Sequence, residues 1–297
     1  MTAERKTTSS AAMKEALDIA VKAGGPLFLD FILVNKLSAT RLLRFACNEK
    51  FERIGLRPRY DSLSKYLYIQ LPYSGQDCTE NFARWLWESW QDAELLPPTA
   101  NEMIRREASP KVTGFVDDYK GSYQQPDFFL GPVGANFPSI AFETGFCESS
   151  LALLSARDLW IDGTDESTKA LVSIDIIRNF EPEPGPEPDS TSEPGSKPEH
   201  EPEPDSTSGP APDPAPTSAL ERQYNVFLEV WKESEFDRVK VFPNILEEEE
   251  DPVITLGELW GDEPVPEGYD KDTELPLSRQ GLQNCIKKAM GIAIEST

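Results

Sequence analysis

Hydrophobic and polar positions divide the chain into segments of helical and of strand period. Between Ser9 and Ala23, Met13, Ala16, Leu17, Ala20 and Val21 recur at the spacing of one helix face, and Gly24-Gly25 follows as a stop. A second helix is predicted over Ala39–Lys50, with Ser38 as N-cap and Leu42, Leu43, Phe45 and Ala46 buried. Leu56–Tyr60, with its Arg-Pro-Arg, reads as a turn. Lys65–Leu71 alternates as a strand, with Leu67, Ile69 and Leu71 on one side and Pro72 as its end. Thr79–Asp92 reads as a helix with Phe82, Trp85, Leu86 and Trp90 inward, an aromatic set at core spacing. Asn101–Arg106 is predicted as a short helix within the polar stretch Leu95–Gly121.

The clearest pattern lies between Gln124 and Phe180, which reads strand, turn, strand, helix, strand. Side chains on a strand point to opposite faces with period two. Ile140, Phe142, Thr144 and Phe146 therefore share one face, and Ser139, Ala141, Glu143 and Gly145 the other. Small residues on either side leave the Glu143 carboxylate room. That position can be a ligand-binding acid, but most acidic residues are simply exposed, so residue by residue the favoured reading is a polar side chain on the solvated side of an edge strand. A second acid, Asp127, follows Pro126 at the start of the preceding apolar run. Ser149–Trp160 is the helix, with Leu153, Ala156 and Trp160 on one face. Leu171–Arg178 is the next strand, burying Val172, Ile174 and Ile176.

From Glu181 to Ser218 the apolar pattern stops. This Pro/Glu-rich tract repeats PEPDSTS and has no large apolar residue, so it cannot offset the entropy of ordering and reads as a disordered insertion over 181–219. It is a spacer or a site for a protein partner. Strands resume at Tyr224–Trp231 and Arg238–Phe242. The acidic run Glu247–Asp251 reads as a solvated loop. Ile254–Trp260 is apolar enough to pack, and Arg279–Ala293 has the spacing of an amphipathic helix. Two strands and one helix are thin for a separate domain. Residues 220–297 are therefore expected to continue the domain of residues 9–180, with Tyr224–Trp231 beside Leu171–Arg178; residues 1–8 read as a disordered N-terminus.

Charge narrows the range of partners. The 297 residues carry a net charge of −23, but residues 1–180 hold 20 basic and 24 acidic side chains, so the excess of acid lies elsewhere. Phosphate affinity rests on Lys and Arg, so this composition weighs against general nucleic-acid binding. The basic stretch Lys36–Lys65 is an exception: a phosphate-contacting face or a solvated helix face. Cys47, Cys78, Cys147 and Cys285 are widely spaced and match no zinc pattern; His200, the only histidine, lies in the tract. Free thiols in a reducing compartment are the simplest account. The opening MTAERKTTSS has no signal-peptide pattern, and the apolar run Leu27–Val34 is too short to span a bilayer. A soluble, intracellular protein with no membrane partner is expected.

Pro-Asp, a short hairpin, an apolar strand carrying Glu, then a helix and another apolar strand resemble the PD-(D/E)XK nuclease superfamily. More narrowly, PDFFLGPVGANFPSIAFETGFCESSLALLSARDLWIDGT and KALVSIDIIRNF resemble a divergent, mostly fungal group within it. The likeness is dense over Gln124–Phe180 and thinner over Arg57–Leu86 and Tyr224–Leu259. It implies an α/β fold, a restriction-endonuclease-like mixed β-sheet flanked by helices. It further implies Asp127 and Glu143 as acids that bind Mg²⁺, and phosphodiester hydrolysis of nucleic acid. The superfamily's lysine, two residues after the strand Glu, is Gly145 here. Arg157 or Lys169 is the substitute the resemblance offers. Glu148 would be a third metal carboxylate, or an acid at a helix N-terminus. The alternative is a nuclease-like fold without catalysis, an interaction module for protein or nucleic acid.

Overall fold

The computed structural model describes residues 3–4, 28–32, 57–64, 66–70, 74–146, 150–179 and 224–290. The helices predicted over Ser9–Ala23 and Ala39–Lys50, the Pro/Glu-rich tract and Glu148 lie outside the described residues. The described chain is mixed α/β. In chain order its elements are β1 (Ala3–Glu4), β2 (Phe28–Ile32), β3 (Arg57–Asp61), β4 (Tyr66–Gln70) and helix α1 (Ser74–Asp92). Then come α2 (Ala100–Met103), β5 (Ile104–Ala108), β6 (Val112–Thr113), β7 (Tyr123–Gln124), β8 (Phe128–Pro132) and β9 (Ile140–Phe146). They are followed by α3 (Ser150–Ile161), β10 (Ala170–Arg178), β11 (Tyr224–Trp231) and β12 (Phe236–Phe242). The last are β13 (Val253–Thr255), α4 (Leu256–Trp260), β14 (Glu274–Pro276) and α5 (Arg279–Ala289).

The central sheet has the order β12-β11-β10-β9-β8-β5. β9 and β10 are parallel, joined through α3, and the other pairs are antiparallel. β11 pairs with β10 along its whole length, from Leu171↔Trp231 to Arg178↔Tyr224. Alternation decides what each face buries. Phe128, Phe142, Val172, Ile174, Leu228 and Val230 join Phe82, Trp90, Trp260 and Ile286 in one core beneath α1, α4 and α5. On the other face Ala141 and Leu171 pack with Phe115, Leu159 and Trp160 beneath α3. Burying a Leu or Phe side chain contributes about 1.5–3 kcal/mol, and both faces draw on it. A second sheet, β1-β2-β4-β3-β7-β6, lies along the chain before and after α1.

Several local expectations are corrected. Arg57–Asp61 is strand β3, not a turn. It is a strand despite Pro58 because β4 pairs with it from Arg57↔Gln70 to Asp61↔Tyr66. Ile104–Ala108 is a strand rather than the end of a helix, because its backbone pairs with β8. Helix α1 begins at Ser74, and its buried tryptophans are Trp87 and Trp90. Trp85, expected inward, is 38% exposed and lies against Gly281 of α5. The run Glu247–Asp251 is not simply a solvated loop. The buried Arg279 pairs with Asp251 at 3.0 Å and Glu249 at 3.4 Å, and its Nη1 also donates to the Leu246 carbonyl at 2.9 Å. Tertiary pairing thus gives a charge run a partner that its own sequence does not show.

Gly163 ends α3 in a tight fit. A Cβ there would stand 2.6 Å from the Leu159 carbonyl oxygen and 3.0 Å from the Tyr119 ring. The carbonyl is backbone and cannot swing aside. Gly163→Ala is therefore expected to lower stability by about 1–3 kcal/mol, read as a lower urea midpoint at unchanged slope.

Candidate metal centre

Two buried acids meet where β8 joins β9. Register pairs Phe128 with Phe142 and Phe129 with Ala141, so Asp127, one residue ahead of β8, comes level with Glu143. Asp127 is 2% exposed and Glu143 7% exposed. β9 is an interior strand and its Glu143 face is roofed by α3, so the reading of Glu143 as a solvated residue on an edge strand is overturned. The Asp127 backbone N–H donates to the Phe142 carbonyl at 3.0 Å, and its Oδ2 accepts the Thr144 N–H at 2.7 Å. Asp127 is therefore built into the hydrogen bonding of β9. On the opposite face Thr144 meets Thr79 of α1 through their hydroxyls, which ties this part of β9 to the main core.

Glu143 is held by two donors at one oxygen. Trp160 Nε1 donates to Oε1 at 2.9 Å, and Gln124 Nε2 donates to the same atom. Burial and the Asp127 charge push the Glu143 carboxyl up to about 7; the Arg59 charge and the two hydrogen bonds work the other way. Arg59, on β3, thus brings a cation into the field of the acids. Beside it on that strand Asp61 is buried, accepting the Leu63 N–H at 2.8 Å and the Ser155 hydroxyl of α3 at 3.1 Å. That bond links the second sheet to the helix above Glu143.

The cations expected from the sequence are engaged elsewhere. Arg157 pairs with Asp158 at 2.9 Å and Asp162 at 3.1 Å, along its own helix. Lys169 donates to the Glu166 carbonyl at 2.7 Å and pairs with Asp262 at 2.8 Å. Residue 173, not 169, is level with Glu143, which puts Lys169 about 13 Å down the strand at ~3.3 Å per residue. It lines a separate cavity of about 250 Å³ with Lys232, Glu235 and Glu258. The space beside Glu143 at Gly145 is also taken. A Cβ on Gly145 would lie 3.1–3.4 Å from three side-chain atoms of Leu153. Leu153 thus fills the space beside Gly145, where the small residue serves packing rather than ligand access.

The donors present suit a hard cation. Carboxylate oxygens are the protein ligands Mg²⁺ prefers, with neutral oxygens completing its shell, and among the described residues the site offers no thiolate or imidazole. Among the described residues no group of three or more His, Cys, Asp or Glu is placed to hold a metal ion, so a third ligand drawn from these residues would be neutral. Gln124 supplies a candidate. It is buried, and its Oε1 has no hydrogen-bond partner. The ionised Glu143 carboxylate accepts from the N–H end of this amide, which leaves the oxygen end out of that bond.

Sequence reasoning finds the acids and misses what surrounds them. Gln124 stands in view three residues before Asp127. Helical spacing marks Trp160 only as core, although a buried indole N–H needs an acceptor, and that requirement is the available signal. Arg59 lies in a segment that reads as a turn. Among the described residues no helix is long and apolar enough to cross a membrane. Comparison of the chain with protein-family models and with curated proteins finds no match.

Proposed function

We propose that this chain is a nuclease-like protein of the PD-(D/E)XK type, with a restriction-endonuclease-like fold, in which Asp127 and Glu143 hold Mg²⁺ for phosphodiester hydrolysis in nucleic acid. One observation carries the reading. Two buried carboxylates from adjoining strands come level in the sheet; burial first and the Asp127 charge second raise Glu143 to about 7, and a shared divalent cation would relieve the part that is repulsion. The order of elements supports it: Pro-Asp, hairpin, a strand bearing Glu, a helix, and a parallel strand. Bound there, Mg²⁺ would polarise the scissile phosphate and lower the pKa of a coordinated water. Trp160 and Gln124 fix the Glu143 carboxylate, Thr144 fixes Asp127, and Arg59 supplies positive charge toward the transferring phosphate.

A second reading, a nuclease-like fold that binds without cleaving, is favoured by Leu153 in the space beside Gly145 and by the ion pairs of Arg157 and Lys169. The purified full chain is to be incubated with single- and double-stranded DNA and RNA in millimolar Mg²⁺ or Mn²⁺. The catalytic reading expects cleavage that EDTA stops and that Arg59→Gln reduces about 10²-fold, the effect of removing a preorganised charge. Binding without cleavage of any substrate selects the second reading.

A further inference from the structure

The face of the central sheet beneath α3 carries a polar row, of which the acids above use one end. Ser173 on β10 is in register with Glu143 on β9 and with Glu229 on β11. Glu229 in turn stands opposite Arg238 on β12. At the far end the charges are closed. Arg238 pairs with Glu229 Oε1 at 2.8 Å and with Asp175 Oδ2 at 3.1 Å, and Trp231 Nε1 donates to Glu229 Oε2 at 3.3 Å.

Around Glu143 the polar groups are less complete. Ser173 is 0% exposed, and its Oγ has no hydrogen-bond partner. Trp160 and Gln124 both donate to Glu143 Oε1, which leaves Oε2 as the oxygen turned to other company. A buried hydroxyl left unpaired is unfavourable, and alanine would remove the cost without changing the shape of the strand. The unpaired hydroxyl lies on the strand beside Glu143. Gln124, with its own unpaired Oε1, contacts Glu143 from β7. Two buried oxygens without partners therefore border one carboxylate.

We propose that Ser173 is a positioning residue of the Glu143 site, its hydroxyl holding a water of a hydrated divalent cation against Glu143 Oε2. This rests on the reading of Asp127 and Glu143 as a cation site. Mg²⁺ held by one or two carboxylates keeps several of its waters. Hydrogen bonds behind a metal's ligands commonly change affinity by about 10- to 100-fold. With Leu153 beside Gly145, the polar contact on this flank of Glu143 comes from the neighbouring strand.

The test uses the full chain and Mn²⁺ alone as the probe, followed by electron paramagnetic resonance and by the melting temperature in EDTA. Ser173→Ala is expected to melt at or above the wild-type temperature in EDTA and to bind Mn²⁺ about 10-fold more weakly. Ser173→Cys, which keeps the side-chain shape at slightly larger size and replaces the hydroxyl by a weak hydrogen-bonding thiol, is expected to show the same loss and covers the case of a poorly folded alanine variant. Wild-type Mn²⁺ affinity in both variants overturns the role of Ser173 and leaves the metal centre standing. A marked fall in the EDTA melting temperature of both variants also overturns it, since the hydroxyl would then serve the fold. No Mn²⁺ binding by the wild-type protein overturns the metal centre and this inference together.

Discussion

Asp127→Asn combined with Glu143→Gln is expected to eliminate the Mg²⁺-dependent cleavage, and the rise in melting temperature with Mg²⁺, that the proposed function predicts for the wild-type protein. Two ionised oxygens are removed at once, and amide oxygens bind Mg²⁺ too weakly to replace them. Activity should fall by at least about 10²-fold, to the level seen in EDTA. At a hundred times the dissociation constant the wild-type protein should gain about 2.7 kcal/mol, and the double variant nothing. The amides matter to the design. Asp127→Ala would also orphan the Thr144 N–H, which Asp127 Oδ2 accepts at 2.7 Å, and a buried donor left unpaired costs about 1–3 kcal/mol. Asparagine keeps an acceptor there, and the glutamine of Glu143→Gln keeps one for Trp160. Lost cleavage then reports the charges rather than a damaged sheet. A double variant that still cleaves at the wild-type rate removes these acids from the chemistry.

The second large effect is in stability against pH, measured in EDTA. Burial and Asp127 raise the folded-state Glu143 carboxyl to about 7, from an ordinary value of 4.5. Below about 4.5 the group is protonated in both folded and unfolded chains and contributes no slope. Between about 4.5 and 7 the unfolded chain gives up its proton first, so the folded state holds more protons and stability falls as pH rises. Above about 7 the loss is complete, roughly 3 kcal/mol at about 1.4 kcal/mol per pKa unit. Glu143→Gln should abolish that slope and melt above the wild-type protein at pH 8, with the two converging near pH 4. Added Mg²⁺ should flatten the wild-type profile, because a bound dication lowers the carboxyl's pKa. Parallel profiles for wild type and variant between pH 4 and 8 would refute the burial argument. Paired with the activity result, the variant would be a more stable and inactive protein, as expected where a site holds like charges together.

Periodicity located the elements of the signature region because their faces are segregated in the sequence itself. Val172, Ile174 and Ile176 alternate along β10, and Leu153, Ala156 and Trp160 share one side of α3, as their buried positions show. Alternation failed where an element owes its form to a partner. β3 contains a proline and two arginines, and is a strand because β4 pairs with it from Arg57↔Gln70 to Asp61↔Tyr66. β5 has an unremarkable Ile-Arg-Arg-Glu-Ala sequence and is a strand because β8 lies beside it. Trp85 shares the helical spacing of Phe82 and Trp90, but the surface it meets belongs to α5, nearly two hundred residues on. Local pattern does not encode which distant backbone offers hydrogen bonds.

The same division runs through the site. Sequence alone determined that Asp127 opens one strand, that Glu143 lies within the next, and that Gly145 follows on the same face, since these depend on neighbours within a few residues. It left open whether Glu143 faced water or protein. Tertiary structure decided that, by placing β9 inside the sheet and laying α3 across it, so that desolvation and the Asp127 charge act on the same carboxyl. It also chose the company: Arg59, Gln124 and Ser173 come from three separate strands, while Arg157 and Lys169 turn to acids nearer their own ends. The reason is range. Periodicity is set by bonds along the chain, whereas burial, charge coupling and the filling of a side-chain space depend on groups that only folding brings within a few ångströms.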